Sequence, residues 1–109
     1  MSRISTHVLD AVLGKPAAGI PVKLERKEGS AWTELAASAT DADGRCRDLA
    51  QDAKPGIYRL IFDAVAYLRQ KDRTSIYEEI FITFICDGET HYHLPLLLSD
   101  NSYTTYRGS

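Results

Sequence analysis

The three histidines of the chain are the residues whose type and spacing could perform chemistry. His91 and His93 are two residues apart in a segment with strand character, so their side chains are predicted to share one face of a sheet. Together with His7 they could hold a zinc ion, with water as the fourth ligand. Without a metal, imidazoles that titrate near neutral pH could act as general base and acid on a water molecule. Arg45 or Arg107 would then stabilise the developing negative charge.

Each of these residues also has an interpretation without chemistry. The spacing of His91 and His93 by itself favours a solvated pair on an outer strand face, and His7 alone is typical of a surface or core-edge histidine. Arg45 directly follows an Asp-Gly turn pair, so its position is typical of a solvated turn arginine. The pattern alone does not choose among the zinc, metal-free and solvated interpretations.

Composition argues against several classes of function. Lys and Arg number 13 against 15 Asp and Glu, and the basic residues are scattered, which disfavours nucleic acid as a partner. No run approaches the ~18 apolar residues of a membrane span. Cys46 and Cys86 lack the spacing of a metal knuckle or a disulfide framework, and the first residues lack the apolar core of a signal peptide. We therefore expect reduced thiols and a cytoplasmic protein.

The elements that must position the histidines are short strands. Alternating apolar residues and turn pairs predict strands over residues 4–10, 19–27, 32–39, 57–62, 79–86, 90–98 and 102–107. Asp63 is predicted to cap one short helix from Ala64 to about Lys71. Seven or eight short strands without intervening helices predict one all-β sandwich domain, residues 1–109.

The segment 79–86 departs from the pattern of a half-exposed strand. It reads Glu-Ile-Phe-Ile-Thr-Phe-Ile-Cys, which is apolar on both faces, whereas a strand with one solvated side should alternate. The one predicted helix is too short to cover a second face. We therefore expect a dimer or larger assembly to cover it.

Five segments together resemble a known family. They span nearly the whole chain and read Thr6-His7-Val8-Leu9-Asp10, Gly14-Lys15-Pro16-Ala17, Asp43-Gly44-Arg45, Tyr92-His93-Leu94-Pro95-Leu96-Leu97-Leu98-Ser99 and Tyr106-Arg107-Gly108-Ser109. In these segments the chain resembles the 5-hydroxyisourate hydrolases, the transthyretin-related proteins of purine catabolism. The terminal Tyr-Arg-Gly-Ser is the most specific part, because the thyroid-hormone carrier transthyretin lacks it.

The resemblance implies a transthyretin-like two-sheet antiparallel β-sandwich with one short helix. It implies a homotetramer, a dimer of dimers, with active sites where the dimers meet. The implied reaction opens the ring of 5-hydroxyisourate to 2-oxo-4-hydroxy-4-carboxy-5-ureidoimidazoline, without a metal or organic cofactor. No nucleic acid or membrane partner is implied.

The resemblance also implies roles for individual residues. The implied catalytic residues are His7, His93, Arg45 and Ser109, and the implied substrate-binding residues are His7, Arg45, Tyr106 and Arg107. His91 occupies a position without an implied role and is interpreted as a surface residue. The sequence departs from the family at Asp100-Asn101, where a proline and a bulkier residue are common, and at Thr104, where serine is usual. These changes affect a turn and one side chain.

Two rival functions remain open from the sequence. A transthyretin-like carrier of a small planar ligand would have the same fold without catalysis, because a fold does not determine a function. A zinc-dependent hydrolase would use the three histidines as ligands. Decay of 5-hydroxyisourate with and without protein tests the carrier, and activity after chelation tests the zinc enzyme.

Overall fold

A computed structural model describes residues 1–108, which form nine strands and one helix. In chain order these are β1 (Ser2–Asp10), β2 (Lys15–Pro16), β3 (Pro21–Glu28), β4 (Ala31–Ala39), β5 (Arg45–Ala53), β6 (Gly56–Phe62), α1 (Ala64–Arg69), β7 (Ile80–Cys86), β8 (Tyr92–Leu98) and β9 (Tyr103–Thr105). The prediction of an all-β fold with one short helix is confirmed.

The strands form two sheets. One has the order β2-β1-β8-β9, with β5 also paired to β1, and the other has the order β4-β3-β6-β7. β2 pairs with the end of β1 and β5 pairs with its first part, so both lie on the edge of β1 that faces away from β8. All pairs are antiparallel except β1 with β8, which run parallel.

The core lies between the two sheets. Alternate residues of each central strand point inward, as the period of two requires. Ile4 and Val8 of β1 are fully buried, as are Leu96 and Leu98 of β8. His7 lies between these core positions on the opposite face of the sheet, as its place in the alternation predicts. The outer face of β1 and β8 is therefore where the histidines lie.

β5 is the long strand that the sequence analysis missed, along with the two-residue β2. Its sequence, Arg-Cys-Arg-Asp-Leu-Ala-Gln-Asp-Ala, contains no β-branched residue and alternates poorly, so strand propensity gives little signal. Its pairing with β1 contains two register shifts, and only Cys46, Leu49 and Ala53 are buried. Arg45 is consequently the first residue of a strand, and its interpretation as a turn residue is corrected.

The helix α1 begins where the sequence predicts. The Asp63 carboxylate accepts a hydrogen bond from the Ala66 N–H at 3.1 Å, which caps the first turn. The helix ends at Arg69, two residues before the predicted end, and Asp72 has a left-handed φ of 54°. Within residues 1–108 no helix has the length and apolar character needed to span a membrane.

A buried ion pair joins the loop after α1 to β1. Asp10 is 1% exposed, and its carboxylate accepts hydrogen bonds from the Val12 and Leu13 N–H groups, the Tyr67 hydroxyl and the Arg73 guanidinium. Arg73 also donates to Asp100 in the turn between β8 and β9. One guanidinium therefore fixes the loop and the start of β9 to the end of β1.

β7 is an edge strand with an uncovered apolar face. Ile80 and Ile82 are buried in the core, whereas Phe81 is 45% and Ile85 is 77% exposed. The Arg59 guanidinium lies 4.9 Å from the centroid of the Phe81 ring, yet both side chains keep large exposed areas among the described residues, which is the situation that the apolar pattern of the segment predicts.

Candidate active site

Arg45 lies beside His7 because of a tight turn and the strand pairing that follows it. Asp41 accepts hydrogen bonds from the N–H groups of Asp43 and Arg45, both at 2.9 Å. Gly44 has a φ of +77°, and a Cβ there would collide with the Val8 carbonyl oxygen. β5 therefore starts at a fixed point against β1, with Arg45 directly opposite His7. Residues directly opposite across a ladder point to the same face, so the two side chains share the outer face.

The parallel pairing of β1 with β8 brings in His93. In that ladder Ser5 aligns with His93. The Ser5 hydroxyl lies 2.8 Å from His93 Nδ1 and also 2.8 Å from His91 Nε2. Ser5 is buried, His93 is partly buried and His91 is exposed, so one hydroxyl connects a sheltered imidazole to a solvated one. Three separate chain segments thus converge on one face.

A cavity of about 170 Å³ opens on this face. Its lining is polar and cationic and consists of Arg3, Ser5, Thr6, Arg45, Arg47, His91 and His93. His7 is next to Arg45 in register but does not line the cavity. A larger depression of about 740 Å³ lies between α1 and the loop that follows it, and its lining contains no histidine or cysteine. The smaller cavity is therefore the better candidate for chemistry.

Electrostatics favour neutral imidazoles at this site. Burial, followed by the positive charge of Arg45, lowers the pKa of His93, and His91 and His7 act in the same direction. Burial and Arg45 also lower the pKa of His7, against an opposing hydrogen bond at the Asp43 backbone. A neutral imidazole has a free lone pair at neutral pH, which is what a general base requires.

The C-terminal segment closes one side of the site. The Gly108 N–H donates to the His93 carbonyl oxygen at 2.7 Å. Leu96 pairs with Thr105 in the β8–β9 ladder, and the pair of His93 with Gly108 keeps the same register. This register places Tyr106 opposite Pro95, on the face of the imidazoles. Tyr106 is 52% exposed, so its ring is available to a ligand.

Arg107 falls on the other face of the same segment. Its guanidinium lies 4.2 Å from the centroid of the Tyr92 ring and donates to the Thr90 hydroxyl at 2.8 Å. The guanidinium also donates to the His91 carbonyl oxygen at 3.4 Å, but Arg107 does not line the cavity with Arg45 and His93, although the sequence analysis assigns it to substrate binding. Ser109, assigned a catalytic role, lies outside the described residues.

The three histidines do not assemble as a metal site in this chain. Among residues 1–108, no group of three or more His, Cys, Asp or Glu side chains has an arrangement that could hold a metal ion. Cys46 and Cys86 are both buried free thiols, and burial raises the pKa of Cys46. A buried thiol with a raised pKa is a poor nucleophile.

Sequence reasoning missed two contacts at this site. It gave Ser5 no role, and it interpreted His91 as a surface residue outside the chemistry. Both contacts depend on the β1–β8 register, which pairs residues 88 positions apart. The β-branched residues of β1 and the apolar run of β8 indicate strands, but neither feature fixes the register between them.

Comparisons with known proteins agree with the fold and with the resemblance. The sequence profile of the HIUase/Transthyretin family matches residues 4–108. The 5-hydroxyisourate hydrolase of Mus musculus is 44% identical over 113 residues, covering 99% of this chain and 96% of that protein. The structure of Klebsiella pneumoniae 5-hydroxyisourate hydrolase matches with a TM-score of 0.90 at 38% identity, covering 100% of both chains.

A structure of sea bream transthyretin in complex with thyroxine matches equally well. Its TM-score is 0.93 at 35% identity, covering 97% of this chain and 94% of that chain. The sandwich alone therefore does not separate a hydrolase from a transthyretin, and the residues of the site must do so. The family itself is shown by the match over almost the entire sequence. The chain belongs to the HIUase/Transthyretin family.

Proposed function

We propose that the chain hydrolyses 5-hydroxyisourate to 2-oxo-4-hydroxy-4-carboxy-5-ureidoimidazoline, a ring-opening step in urate breakdown. The observation that carries the proposal is the convergence of His93, Arg45 and His7 from three strands onto one sheet face. Relatives from bacteria and mouse are named 5-hydroxyisourate hydrolase and align over nearly the whole chain. The chain is thus an enzyme of the cyclic amide hydrolase class.

The proposed base is His93. Its Nδ1 is hydrogen-bonded to Ser5, which leaves Nε2 to take a proton from water. The attacking water adds to a ring carbonyl, and the ring C–N bond then breaks. His93 takes one proton of the water, and the second, on the hydroxyl of the tetrahedral intermediate, passes to the ring nitrogen as the C–N bond breaks, so the new carboxyl group is released as a carboxylate. The base therefore has to pass on a proton in every turnover.

Arg45 is the proposed oxyanion-stabilising residue. Its guanidinium lines the cavity with His93, and a fixed positive charge stabilises the oxyanion that forms on the attacked carbonyl. Preorganised donors of this kind typically contribute about 10²-fold or more to a rate. We propose that His7, which pairs with Arg45 beside the cavity, orients the substrate or exchanges a proton with it.

The terminus supplies the proposed wall of the site. Tyr106 lies on the imidazole face and can stack on a planar ring. Arg107 can bind substrate only if its guanidinium leaves the Tyr92 ring, so we propose that binding or assembly turns it toward the site. Ser109 stays a proposed catalytic residue.

We propose that the working form is a homotetramer, a dimer of dimers, in the cytoplasm. The exposed apolar side chains Phe81 and Ile85 lie on an edge strand, and edge strands with apolar faces favour association. The candidate site also lies on an open sheet face, so a second subunit would shelter it from water. We propose that no metal or organic cofactor takes part, because activated water, base and oxyanion donor suffice for an activated cyclic amide.

A carrier of a planar ligand is the second candidate, and the similarity to transthyretin in complex with thyroxine favours it. The polar lining of the cavity, with two imidazoles and three guanidinium groups, suits a polar anionic or oxo-rich ring better than an apolar ligand.

The absorbance of freshly generated 5-hydroxyisourate, followed with and without protein, separates the two candidates. A hydrolase accelerates the decay in proportion to its concentration, including after exhaustive chelation. A carrier leaves the decay unchanged or slows it. Loss of the acceleration upon chelation, with recovery upon zinc addition, would instead support the zinc enzyme.

A further inference from the structure

His91 has no role in the function proposed above, and Ser5 there only occupies His93 Nδ1, yet the two residues form a continuous chain of contacts to the proposed base. Ser5 Oγ lies 2.8 Å from both His91 Nε2 and His93 Nδ1, and the two imidazole centroids are 6.0 Å apart. We propose that His91 and Ser5 form a proton relay that orients His93 and carries its proton to solvent. This inference rests on the proposed hydrolysis and deepens it by adding two positioning residues.

The Ser5 hydroxyl couples the protonation of the two rings. It has one proton, so it can donate to only one of the two ring nitrogens that face it, and the other nitrogen must donate to it. When His93 donates from Nδ1, Ser5 donates to His91 Nε2. In that arrangement the Nε2 of His93 is unprotonated and can act as the base. In the reverse arrangement Ser5 donates to His93 Nδ1 and the proton of His93 lies on Nε2, so the reaction needs the first arrangement, and the proposal assigns the proton of resting His93 to Nδ1.

The relay also balances the protons of the reaction. When His93 Nε2 takes a proton from water, His93 Nδ1 can release its own to Ser5 Oγ, and Ser5 can release its hydroxyl proton to His91 Nε2. His91 then carries the positive charge and loses a proton from Nδ1 to solvent. Rotation of the Ser5 hydroxyl and return of both imidazoles to their Nδ1-protonated tautomers restore the starting state. No oxidant, reductant or further reactant is needed.

The surroundings explain why the proton leaves toward His91. The guanidinium of Arg45 disfavours a second positive charge on His93 or His7, whereas His91 is exposed to water. Three other arginines lie near the relay. Arg3 pairs with Asp48, and Arg47 pairs with Asp41 and Asp43. Arg107 donates a hydrogen bond to Thr90. Of these, Arg3 and Arg47 line the cavity together with Arg45, and their positive charges favour proton exit at its rim.

His91→Gln is the informative variant. Glutamine can keep a hydrogen bond with Ser5 but cannot change its protonation state, so it separates proton transfer from packing. In dilute buffer we expect kcat to fall about tenfold with little change in KM, as for the loss of an acid–base group that does not touch substrate. Added imidazole buffer should restore kcat, because it can accept the proton that His91 no longer accepts.

Ser5→Ala tests the second half of the relay, with the exposed turn variant Ser30→Ala as its matched control. Ser5→Ala should lower kcat without rescue by imidazole. It should also shift the ¹⁵N resonance of His93 Nδ1 away from that of a protonated nitrogen, a readout that needs no substrate. Ser30→Ala should change neither measurement.

Two failures can be told apart. If the wild-type chain does not accelerate 5-hydroxyisourate decay, the proposed function fails and the relay fails with it. If the wild-type chain is active, His93→Ala is inactive, and His91→Gln matches wild type in kcat at all buffer concentrations, only the relay is overturned. An unchanged His93 tautomer in Ser5→Ala would likewise overturn the relay while leaving the hydrolase intact.

Discussion

Arg45 lies directly opposite His7 across the antiparallel pair of β1 and β5, and burial followed by the charge of Arg45 lowers the pKa of both His7 and His93. The guanidinium that is proposed to stabilise the oxyanion therefore also acts, together with burial, to favour the unprotonated form of the proposed base. One residue thus links substrate activation to the protonation state of the histidines.

The first prediction concerns this coupling. Replacing Arg45 with Gln removes the positive charge that lies near the two imidazoles. The pKa of His7 and His93 should therefore rise toward the ordinary histidine value. NMR titration of the imidazole resonances measures both without substrate. Arg69→Gln, at the end of α1, is the matched control and should leave both pKa values unchanged. A fall of either pKa in Arg45→Gln would contradict the electrostatic account.

In the wild-type enzyme the same shifts set the acid limb of the rate profile. Activity requires an unprotonated base, and its pKa is below the ordinary histidine value, so kcat/KM should stay high at neutral pH and fall only below about pH 6.5. An acid limb centred above that value would show that a different group acts as the base.

A second prediction concerns the buried Asp10. Replacing it with Ala leaves Arg73, whose side chain is 13% exposed, without its main partner, and should lower the free energy of unfolding by about 3–5 kcal/mol. Urea unfolding at neutral pH measures the loss. Asp52→Asn, at an exposed position of β5, is the control and should change it by less than about 0.5 kcal/mol.

Acid should weaken the same interaction. Burial would raise the pKa of Asp10, but hydrogen bonds from Arg73, Leu13 and Tyr67 outweigh it and lower the pKa to about 2. Because the folded value lies below the unfolded one, the stabilisation is complete above about pH 4 and is lost as the pH falls toward 2. The difference in stability between wild type and Asp10→Ala should therefore shrink in acid, and a constant difference would argue against the ion pair.

The third prediction concerns Gly108. A Cβ there would lie 2.8 Å from His93 Cδ2 and 3.2 Å from Pro95 Cγ, so Gly108→Ala must displace either the terminus or the imidazole. Activity should fall while the unfolding free energy changes little, because the segment is at a sheet edge. Gly14→Ala should instead lower the unfolding free energy and leave the activity unchanged. Its φ of +70° strains alanine, but its Cβ would meet nothing within 4 Å. Equal activity of Gly108→Ala and wild type would contradict the placement of the terminus against His93.

The fourth prediction tests assembly. Ile85 is 77% exposed on β7, so Ile85→Glu should leave the fold of the single chain intact but introduce charge into the proposed subunit contact. Sedimentation velocity should give a tetramer for wild type and smaller species for the variant. Leu35→Glu, at a 48% exposed position on the opposite edge strand β4, should remain tetrameric. If the wild-type protein sedimented as a monomer, the proposed assembly would be contradicted.

Much of the fold could be predicted from local patterns, because most strands alternate or carry β-branched residues between turn pairs. β5 could not, since its polar, unbranched sequence forms a strand only through pairing with β1. For the same reason Arg45 looked like a turn residue. The contact of Ser5 with both His91 and His93 depends on a long-range parallel register that local pattern does not encode. The resemblance pointed to His7, Arg45 and His93 together, but it did not indicate where Arg107 packs.

The decay of freshly generated 5-hydroxyisourate, measured for wild type and for His93→Ala at equal protein concentration, tests the central claim most directly. We predict that wild type accelerates the decay and that His93→Ala lowers kcat/KM by about 10²-fold or more while unfolding at a similar urea concentration. A folded His93→Ala variant with the full wild-type rate would contradict the claim that His93 performs the chemistry.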